Sequence, residues 1–481
     1  MLEAPTQRRT LSFTIALTAA TIGVIYGYDT GSIAGALLFI PDRFSLSTGA
    51  TEWVATFTGI GLIVGALAAN RIADHFGRRV AMIALTVGFL VFAVLQGIAP
   101  SIAFLDSARF LLGVAIGIST VVAPVYIAES APARIRGALI VGYQVATVVG
   151  IMVAYFVAWA LAGGEHWRWM LAISAIPAAL VLIVLLRLPD TPRWYVMKGR
   201  IDEARETFAR TDPEADVEQE LEDIKADLRA ERGGEIRTML RTPYLRATIF
   251  VVVLGFLVQI TGINAITYYS PSIFKELGWS DTTSLAVQGF IELFSVFAVV
   301  GAVLVVDSFG RRKTLLTGVG VMIASNVLML LLFAFTDLNG GASSVLGFVG
   351  ILFFTAGFNF GFGALVWVYA SESFPARLRT AGASAMLTAD LVANLLISRF
   401  FLSVFESLGG AVTFALFLGL AVVSFVFIAA LAPETKGRPL EAIRVYWENG
   451  GRWPDASDGG RFTRGSADVT PAAPPRQGRG A

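Results

Sequence analysis

The 481-residue sequence contains no cysteine and only two histidines, His75 and His166. A chain without cysteine has no disulfide framework, no cysteine-based metal site and no thiol nucleophile, and two histidines argue against a histidine-rich metal centre. Charged residues are also scarce, at 15% of the chain, where soluble proteins average about 25%. So few charges cannot cover a water-facing surface. The net charge of +1 gives no basic bias that would indicate nucleic acid as a partner. We also expect no metal and no other cofactor.

Hydrophobic residues make up 55% of the chain and occur in long runs. A membrane-spanning helix needs about 20 mostly apolar residues, whereas a strand of a membrane barrel needs only about ten. The runs therefore predict an all-α membrane protein with twelve transmembrane helices. The predicted spans are 11–39, 53–72, 80–99, 102–126, 137–162, 168–188, 246–273, 284–306, 313–335, 343–370, 380–404 and 410–432. The first run is too long for the apolar part of a signal peptide, so we interpret it as a retained span.

Lys and Arg are distributed unevenly between the short loops, and this asymmetry predicts the orientation in the cell membrane. One side carries Arg8, Arg9, Arg71, Arg78, Arg79, Arg134, Arg136, Arg311, Arg312, Lys313, Arg377 and Arg379, and the other only Arg43, Arg168 and Lys275. Both termini are thus expected in the cytoplasm. The expected organisation is a cytoplasmic N-terminus (1–10), a six-helix half (11–188), a cytoplasmic loop with short helices (189–245), a second six-helix half (246–432) and a cytoplasmic tail (433–481), disordered from about 450.

Three motifs occur twice, about 240 residues apart. The segment 74–79 (DHFGRR) recurs as 307–312 (DSFGRR), and 129–136 (ESAPARIR) recurs as 372–379 (ESFPARLR). A looser pair is formed by 189–193 (PDTPR) and 433–438 (PETKGR). Each pair falls in the equivalent loop of its half. The sequence therefore predicts two pseudo-symmetric copies of one six-helix unit, an arrangement typical of transporters with a substrate site near the bilayer midplane.

The repeated motifs combine acids with arginines, and such sets can form charge networks between helix ends. We expect them to act as a cytoplasmic gate that holds one face shut in one state and breaks in the other. The alternative is that the arginines only anchor the topology. The expected gate residues are Asp74, Arg78, Arg79, Glu129, Arg134, Arg136, Asp307, Arg311, Arg312, Glu372, Arg377 and Arg379.

Together with further motifs, these segments resemble the sugar porter family of the major facilitator superfamily over roughly residues 10–445. The further motifs are 26–31 (YGYDTG), 109–113 (RFLLG), 124–132 (PVYIAESAP), 259–264 (QITGIN), 268–271 (YYSP) and 433–437 (PETKG). The DxxGRR loops identify only the superfamily, while QITGIN and PETKG are more specific. The resemblance implies a major-facilitator-type fold, alternating access, and a sugar, inositol or similar polyol as substrate.

Asp29 and Arg109 are ionisable residues within predicted spans, where charges are costly and usually functional. Pairing them would remove the cost of two isolated buried charges. Arg109 favours the carboxylate form of Asp29 and burial favours the neutral acid, so the site suits proton coupling. The family's proton symporters carry an acid at the position of Asp29. A purely structural ion pair is the alternative interpretation.

Five residues match positions that bind or frame the sugar in the family: Gln144, Gln259, Asn264, Gly363 and Trp367. An amide offers two donors and two acceptor lone pairs to adjacent hydroxyls, and an aromatic face suits the apolar face of a sugar ring. Each polar residue alone could instead join two helices. Gly262 is expected to break its helix, and glycines at 23, 27, 31 and 35 are expected to let a neighbouring helix approach closely.

The chain departs from the family pattern in its C-terminal half. Three positions at which the family has an amide side chain are occupied here by Val258, Ser295 and Asp390, and Glu292 lies one turn from Ser295. A position at which the family has an aromatic residue is occupied by Leu391. We expect Ser295, Glu292 and Asp390 to contribute to the substrate site. Arg399 is expected to neutralise one of the two carboxylates.

Three functions fit these observations, and an enzyme is not among them, because no nucleophile–base pair accompanies Asp29 and Arg109. The first is a proton-coupled symporter of a sugar or polyol, acting as a monomer in the lipid bilayer. The second is a uniporter, or a proton antiporter or exporter, of a related or cationic solute. The third is a sugar-binding membrane sensor, for which the loop 189–245 and the tail are too small.

Overall fold

The computed structural model describes residues 5–212, 216–231, 236–336, 341–438 and 440–453, and their regular secondary structure is helical. The first half contains α1 (Pro5–Ala36), α2 (Ile40–Phe44), α3 (Thr48–Phe76), α4 (Arg78–Gly97), α5 (Ile102–Ser130), α6 (Ala133–Ala162), α7 (Trp167–Ala172) and α8 (Ala175–Leu185). The connecting segment forms α9 (Pro192–Met197), α10 (Ile201–Thr211), α11 (Val217–Glu231) and α12 (Ile236–Met239). The second half contains α13 (Leu245–Ile260), α14 (Ile263–Glu276), α15 (Asp281–Phe309), α16 (Arg311–Phe335), α17 (Gly341–Phe358), a π-helical turn (Asn359–Gly363), α18 (Ala364–Glu372) and α19 (Ala376–Leu431), and α20 (Leu440–Glu448) follows it.

Ten helical stretches of the described chain are long and apolar enough to cross a membrane. One of them, Leu378–Leu431, has 54 residues and would be about 80 Å long if straight, more than twice the hydrocarbon thickness. It holds two spans, because Gly409 within α19 has φ 82° and ψ 162°, which is not helical. With α1 as the remaining span, the chain forms twelve transmembrane helices in two six-helix halves, as predicted.

Three of the predicted spans are not single helices. Span 168–188 is divided into α7 and α8, and span 343–370 contains the π-helical turn before α18. Span 246–273 breaks between α13 and α14 at Gly262, as expected, where φ is +104°. A Cβ at this position would lie 2.5 Å from the Phe417 ring, so both the backbone and the packing require glycine. Such interruptions free backbone and side-chain groups toward the middle of the bundle.

The glycine stripe of α1 packs directly on the backbone of α6, as expected. A Cβ at Gly27 would lie 1.9 Å from the Thr147 carbonyl oxygen, and a Cβ at Gly31 would lie 2.7 Å from that of Ile151. This close approach fixes α1, and with it Asp29, against the first half.

The two ends of the bundle differ in how the halves meet. We call the end that carries the repeated segments 74–79 and 307–312 the motif face, and the other end the opposite face. The halves are joined where α1 meets α14, α3 meets α19 and α6 meets α15. The side-chain contacts on these interfaces lie toward the opposite face: Gly35 is beside Leu285, and Phe156 packs against Phe290. The opposite face is therefore closed in this structure.

Candidate functional site

Asp29 on α1 and Arg109 on α5 lie together inside the first half, as their positions in the sequence indicated. An Nη1 atom of Arg109 is 3.8 Å from Oδ1 of Asp29, and the two residues are 1% and 6% exposed. The contact is at the long end of ion-pair geometry. The pair therefore satisfies the requirement that charges at membrane depth be compensated, without locking Asp29 rigidly to its partner.

Arg109 is held mainly by other groups. Its Nε atom donates to the Val54 carbonyl oxygen at 2.7 Å, and Nη1 donates to Oε1 of Gln96 at 3.1 Å. These bonds come from α3 and α4, and they keep the guanidinium in place whether or not Asp29 is charged. Arg109 therefore has fixed partners of its own besides Asp29.

Gln259 and Asp390 form the corresponding polar contact in the second half. The Gln259 amide donates to Oδ2 of Asp390 at 3.4 Å, across α13 and α19. The Tyr26 hydroxyl, on α1 of the other half, is close enough to both Asp390 and Asp29 to interact with them electrostatically. Tyr26 of the YGYDTG motif is therefore a further titratable group near both acids, which the sequence analysis did not single out.

The other residues expected to bind substrate lie on elements that surround this space. Gln144 is on α6 and Asn264 opens α14 just after the break at Gly262, and both are partly buried. Gly363 ends the π-helical turn, and Trp367 on α18 is 42% exposed. A π-helical turn is a common feature of functional sites in helices. With Gln259 on α13 and Asp390 on α19, these residues fall on six elements, and Gln144, Asn264 and Trp367 keep part of their side chains accessible.

Two residues of the predicted set are arranged differently. Ser295 is fully buried, and its hydroxyl donates to the Ile291 carbonyl oxygen of its own helix. Glu292 is 2% exposed and accepts a hydrogen bond from the Gln288 amide at 3.0 Å. The two residues are one helical turn apart, so they lie on the same side of α15, and this side faces the packed interior.

The expectation that Arg399 neutralises Glu292 or Asp390 is wrong. Arg399 instead pairs with Glu52 of the first half, with 2.6 Å between Nη1 and Oε2. Ser403 adds two bonds to the same carboxylate, from its backbone N–H and its hydroxyl, each at 2.7 Å. Glu52 is 0% exposed. Sequence reasoning missed this pair because the predicted span began at residue 53 and left Glu52 in a loop.

The repeated charges of the motif face form a network within the first half. Glu129 receives Arg78 at 3.0 Å, Arg193 at 3.7 Å and the Thr191 hydroxyl at 2.6 Å. Arg78 also pairs with Asp74 at 2.9 Å. The network ties the ends of α3, α4 and α5 to α9. These pairs join elements of the first half and the connecting segment.

The looser sequence repeat has a clear structural role, since each copy supplies an acid that caps a helix. Asp190 accepts the backbone N–H groups of Arg78 and Arg79 at 3.0 and 3.2 Å, and Glu434 accepts those of Arg311 and Arg312 at the same distances. Both acids thereby satisfy the free N–H groups at the start of a span. Burial raises the pKa of Asp190, and the N–H donors around it act in the opposite direction.

The second half repeats further parts of this arrangement. Arg311 pairs with Asp307 at 2.8 Å, and Tyr369 donates to the Pro433 carbonyl oxygen at 3.0 Å, as Tyr126 does to that of Pro189 at 2.7 Å. Arg312 donates to a carbonyl oxygen near the end of α19, as Arg79 does at the end of α8. The remaining predicted gate residues of this half, Glu372 and Arg379, are partly buried at the same face. The side chains of Arg134, Arg136 and Arg377 lie outside the described residues.

Twelve helices in two pseudo-symmetric halves, broken helices at mid-depth and a buried acid–arginine pair define a secondary transporter of the major facilitator class. The comparisons with known proteins agree, because the family model for the sugar (and other) transporters matches residues 15–447. The chain belongs to this family. It is a multi-pass membrane transporter and not an enzyme.

Similar proteins cover almost the whole chain. A galactose-proton symporter of Escherichia coli is 32% identical over 90% of this chain and 94% of its own. An arabinose-proton symporter of the same species is 34% identical over 90% of this chain and 93% of its own. The solved structure of the E. coli proton:xylose symporter XylE with 6-bromo-6-deoxy-D-glucose has a TM-score of 0.77 at 25% identity, over 91% of this chain and 99% of that one.

Proposed function

We propose that the protein is a proton-coupled symporter of a sugar or polyol. The observation that carries this proposal is the buried Asp29–Arg109 pair, in which Arg109 has its own fixed partners and Asp29 is free to exchange a proton. Tyr26 lies near both Asp29 and Asp390. Protonation of Asp29 and occupation of the substrate space can therefore influence each other directly, as symport requires.

The proposed substrate site consists of Gln144, Gln259, Asn264, Gly363, Trp367 and Asp390, with Ser295 and Glu292 behind it. Gln259 keeps an Oε1 atom without a partner among the described residues, which leaves an acceptor for a hydroxyl group. Amides and Trp367 together suit the mixed polar and apolar faces of a sugar ring. The names of the galactose-, arabinose- and xylose-transporting relatives support the same class of substrate.

The test is uptake by proteoliposomes of labelled sugars and polyols, with and without an imposed pH gradient. We expect accumulation above equilibrium of at least one compound only when the outside is acidic. Equilibration without accumulation would indicate a uniporter. Accumulation only when the inside is acidic would indicate a proton antiporter. Each alternative therefore has its own outcome.

The substrate class is tested most sharply at Asp390. This carboxyl group is 8% exposed, its only described partner is Gln259, and Arg399 is engaged elsewhere. An ionised carboxylate accepts hydrogen bonds but donates none, so it favours a substrate rich in donors. In Asp390→Asn we expect the preference between neutral sugars, polyols and amino sugars to change about tenfold, since one charge-assisted hydrogen bond contributes about 1.5–3 kcal/mol. Uptake of the three classes in parallel is the measurement, and unchanged ranking and affinity would remove Asp390 from the site.

We further propose that the motif face is cytoplasmic and that the protein lies in the cell membrane as a monomer, with both termini inside. The excess of arginine at this face supports the orientation. Because the chain has no native cysteine, the labelling of a single introduced cysteine shows on which side of the membrane that residue lies. Asp42→Cys, on the exposed surface of the opposite face, should react with an impermeant thiol reagent in intact cells. Lys198→Cys should react only after the membrane is opened, and the reverse pattern would invert the topology.

The repeated charge sets are proposed to gate the motif face. In this structure each set connects elements of one half, so the gate would act by fixing the helix ends that meet when that face closes. In Glu129→Gln the bonds to Arg78 and Thr191 are weakened, and we expect a cysteine at Ala146 on α6 to be labelled faster from the motif face. Glu372→Gln is the matched variant of the second half. If neither variant changes the labelling rate, these arginines act only as topological anchors.

A further inference from the structure

Glu292 is a buried acid behind the proposed substrate site, and no described hydrogen bond or ion pair joins it to Asp29, Arg109 or the other residues of that site. It is 2% exposed and lies about 16 Å along α15 from the start of that helix at Asp281. Its described partner is the Gln288 amide, which is itself 0% exposed. No described Lys, Arg or His lies within ion-pair distance of Glu292. Arg399, the expected partner, is paired with Glu52.

The groups around Glu292 from the neighbouring helices are neutral. From α6 of the other half, Tyr155 comes close enough to interact with it electrostatically, and the Tyr155 hydroxyl donates to the Thr267 carbonyl oxygen of α14. Tyr155 in turn lies near Tyr268 on α14. Apart from Glu292 itself, the charged residues of α6, α14, α15 and α16, and Glu372 of α18, lie at helix ends, and α17 and the π-helical turn carry none. A carboxylate here would therefore be an uncompensated charge at membrane depth, which is strongly unfavourable.

A second observation, at Gln288, indicates how the charge of Glu292 is removed. The Oε1 atom of Gln288 is buried and has no hydrogen-bond partner among the described residues, although its Nε2 atom binds Glu292. Buried polar atoms without partners are rare and call for an explanation. A protonated carboxyl group has one O–H donor, so protonation of Glu292 both removes the charge and supplies the donor that the amide oxygen lacks.

We propose that Glu292 is a second proton-binding site, which is occupied while the opposite face is closed and emptied when that face opens. This inference rests on the alternating-access function proposed above. Opening separates α6 from α15, water reaches the carboxyl group, and its O–H bond breaks as the proton passes to that water. Closing reverses the step. Because water reaches the site from the opposite face alone, the proton returns to the side from which it came and is not transported.

The site has a consequence for the conformational equilibrium. The closed state binds one proton more than the open state, so acid at the opposite face favours closure and base favours opening. The equilibrium between open and closed states should change by up to about tenfold per pH unit, the limit for one linked proton.

The test uses Leu285→Cys, a fully buried position of α15 that faces Gly35 across the interface between the halves. It would be the only thiol in the chain. Its labelling rate by an impermeant reagent from the opposite face is measured against pH in the reporter alone, with Asp29→Asn, with Asp390→Asn, with Glu292→Gln and with Asp29→Asn and Glu292→Gln combined. Because a thiol reacts as its thiolate, each rate is divided by that of the exposed Asp42→Cys at the same pH. We expect this normalised rate to rise with pH in the first three and to be low and independent of pH in both variants that carry Glu292→Gln. This readout requires no substrate and no transport, so its failure is distinct from that of the proposed function.

The inference is overturned if the pH dependence of the normalised rate survives Glu292→Gln or disappears with Asp29→Asn alone. A labelling rate that responds to sodium at constant pH would replace the proton by a metal cation and would also overturn it. Should Glu292→Gln not fold, infrared spectroscopy of the unmodified protein gives the answer. A carbonyl band of a protonated acid should be present and should shift in Gln288→Met, whereas absence of that band would show that Glu292 is ionised.

Discussion

Replacement of Asp29 by asparagine should abolish uphill accumulation of substrate while leaving exchange across the membrane measurable. Asparagine has nearly the shape of aspartic acid but cannot release a proton. Arg109 keeps its bonds to the Val54 carbonyl oxygen and to Gln96, so the bundle should fold normally. In proteoliposomes with an imposed pH gradient, the ratio of internal to external substrate should fall to about one, as expected for transport without coupling.

Asp106 provides the matched control for this experiment. It is a second carboxyl group that interacts with Arg109, one turn away on α5, but it is only partly buried. Asp106→Asn should accumulate substrate as the unmodified protein does. Arg109→Ala should be severe, because it leaves Asp29 without its partner, and removing one member of a buried pair costs about 3–5 kcal/mol. Continued accumulation in Asp29→Asn under the same gradient would exclude Asp29 as the coupling residue.

Loss of Arg399 should open the opposite face. Glu52 is fully buried in the contact between α3 and α19, where Arg399 and Ser403 supply three hydrogen bonds to it. The guanidinium also lies 4.8 Å from the centre of the Trp53 ring, which adds a cation–π contact between the halves. In Arg399→Met the carboxylate loses its counter-charge, at a cost of about 3–5 kcal/mol in the closed state. An open state in which water reaches Glu52 avoids that cost.

The expected result is at least a hundredfold increase in the labelling rate of a cysteine at Leu285, since about 1.4 kcal/mol corresponds to a factor of ten. The double variant Glu52→Gln with Arg399→Met has no charge to strand and should return most of the way to the original rate. A single variant that labels no faster than the parent would show that this pair does not hold the face closed. The double variant separates this electrostatic effect from simple loss of packing.

Much of the fold followed from local sequence patterns. The length of the apolar runs predicted the spans, and the repeated segments predicted the two halves, because both signals depend on residues that are close in sequence. Asp29 and Arg109 stood out for the same reason, since each is a charge within an apolar run. The break at Gly262 was also predictable from a glycine between polar residues in a long span.

The sequence alone determined that this protein is a twelve-helix membrane transporter and that Asp29, Arg109, Glu292 and Asp390 are charges within its spans. Only the tertiary structure decided how they are compensated. Arg399 and Glu52 are 347 positions apart, and no periodicity within a helix indicates that they meet. Their pairing depends on how the two halves pack at the opposite face, and this packing in turn leaves Asp390 and Glu292 without a cation. The physical reason is that helix formation depends on neighbours along the chain, whereas the energy of a buried charge depends on whichever residues surround it in space.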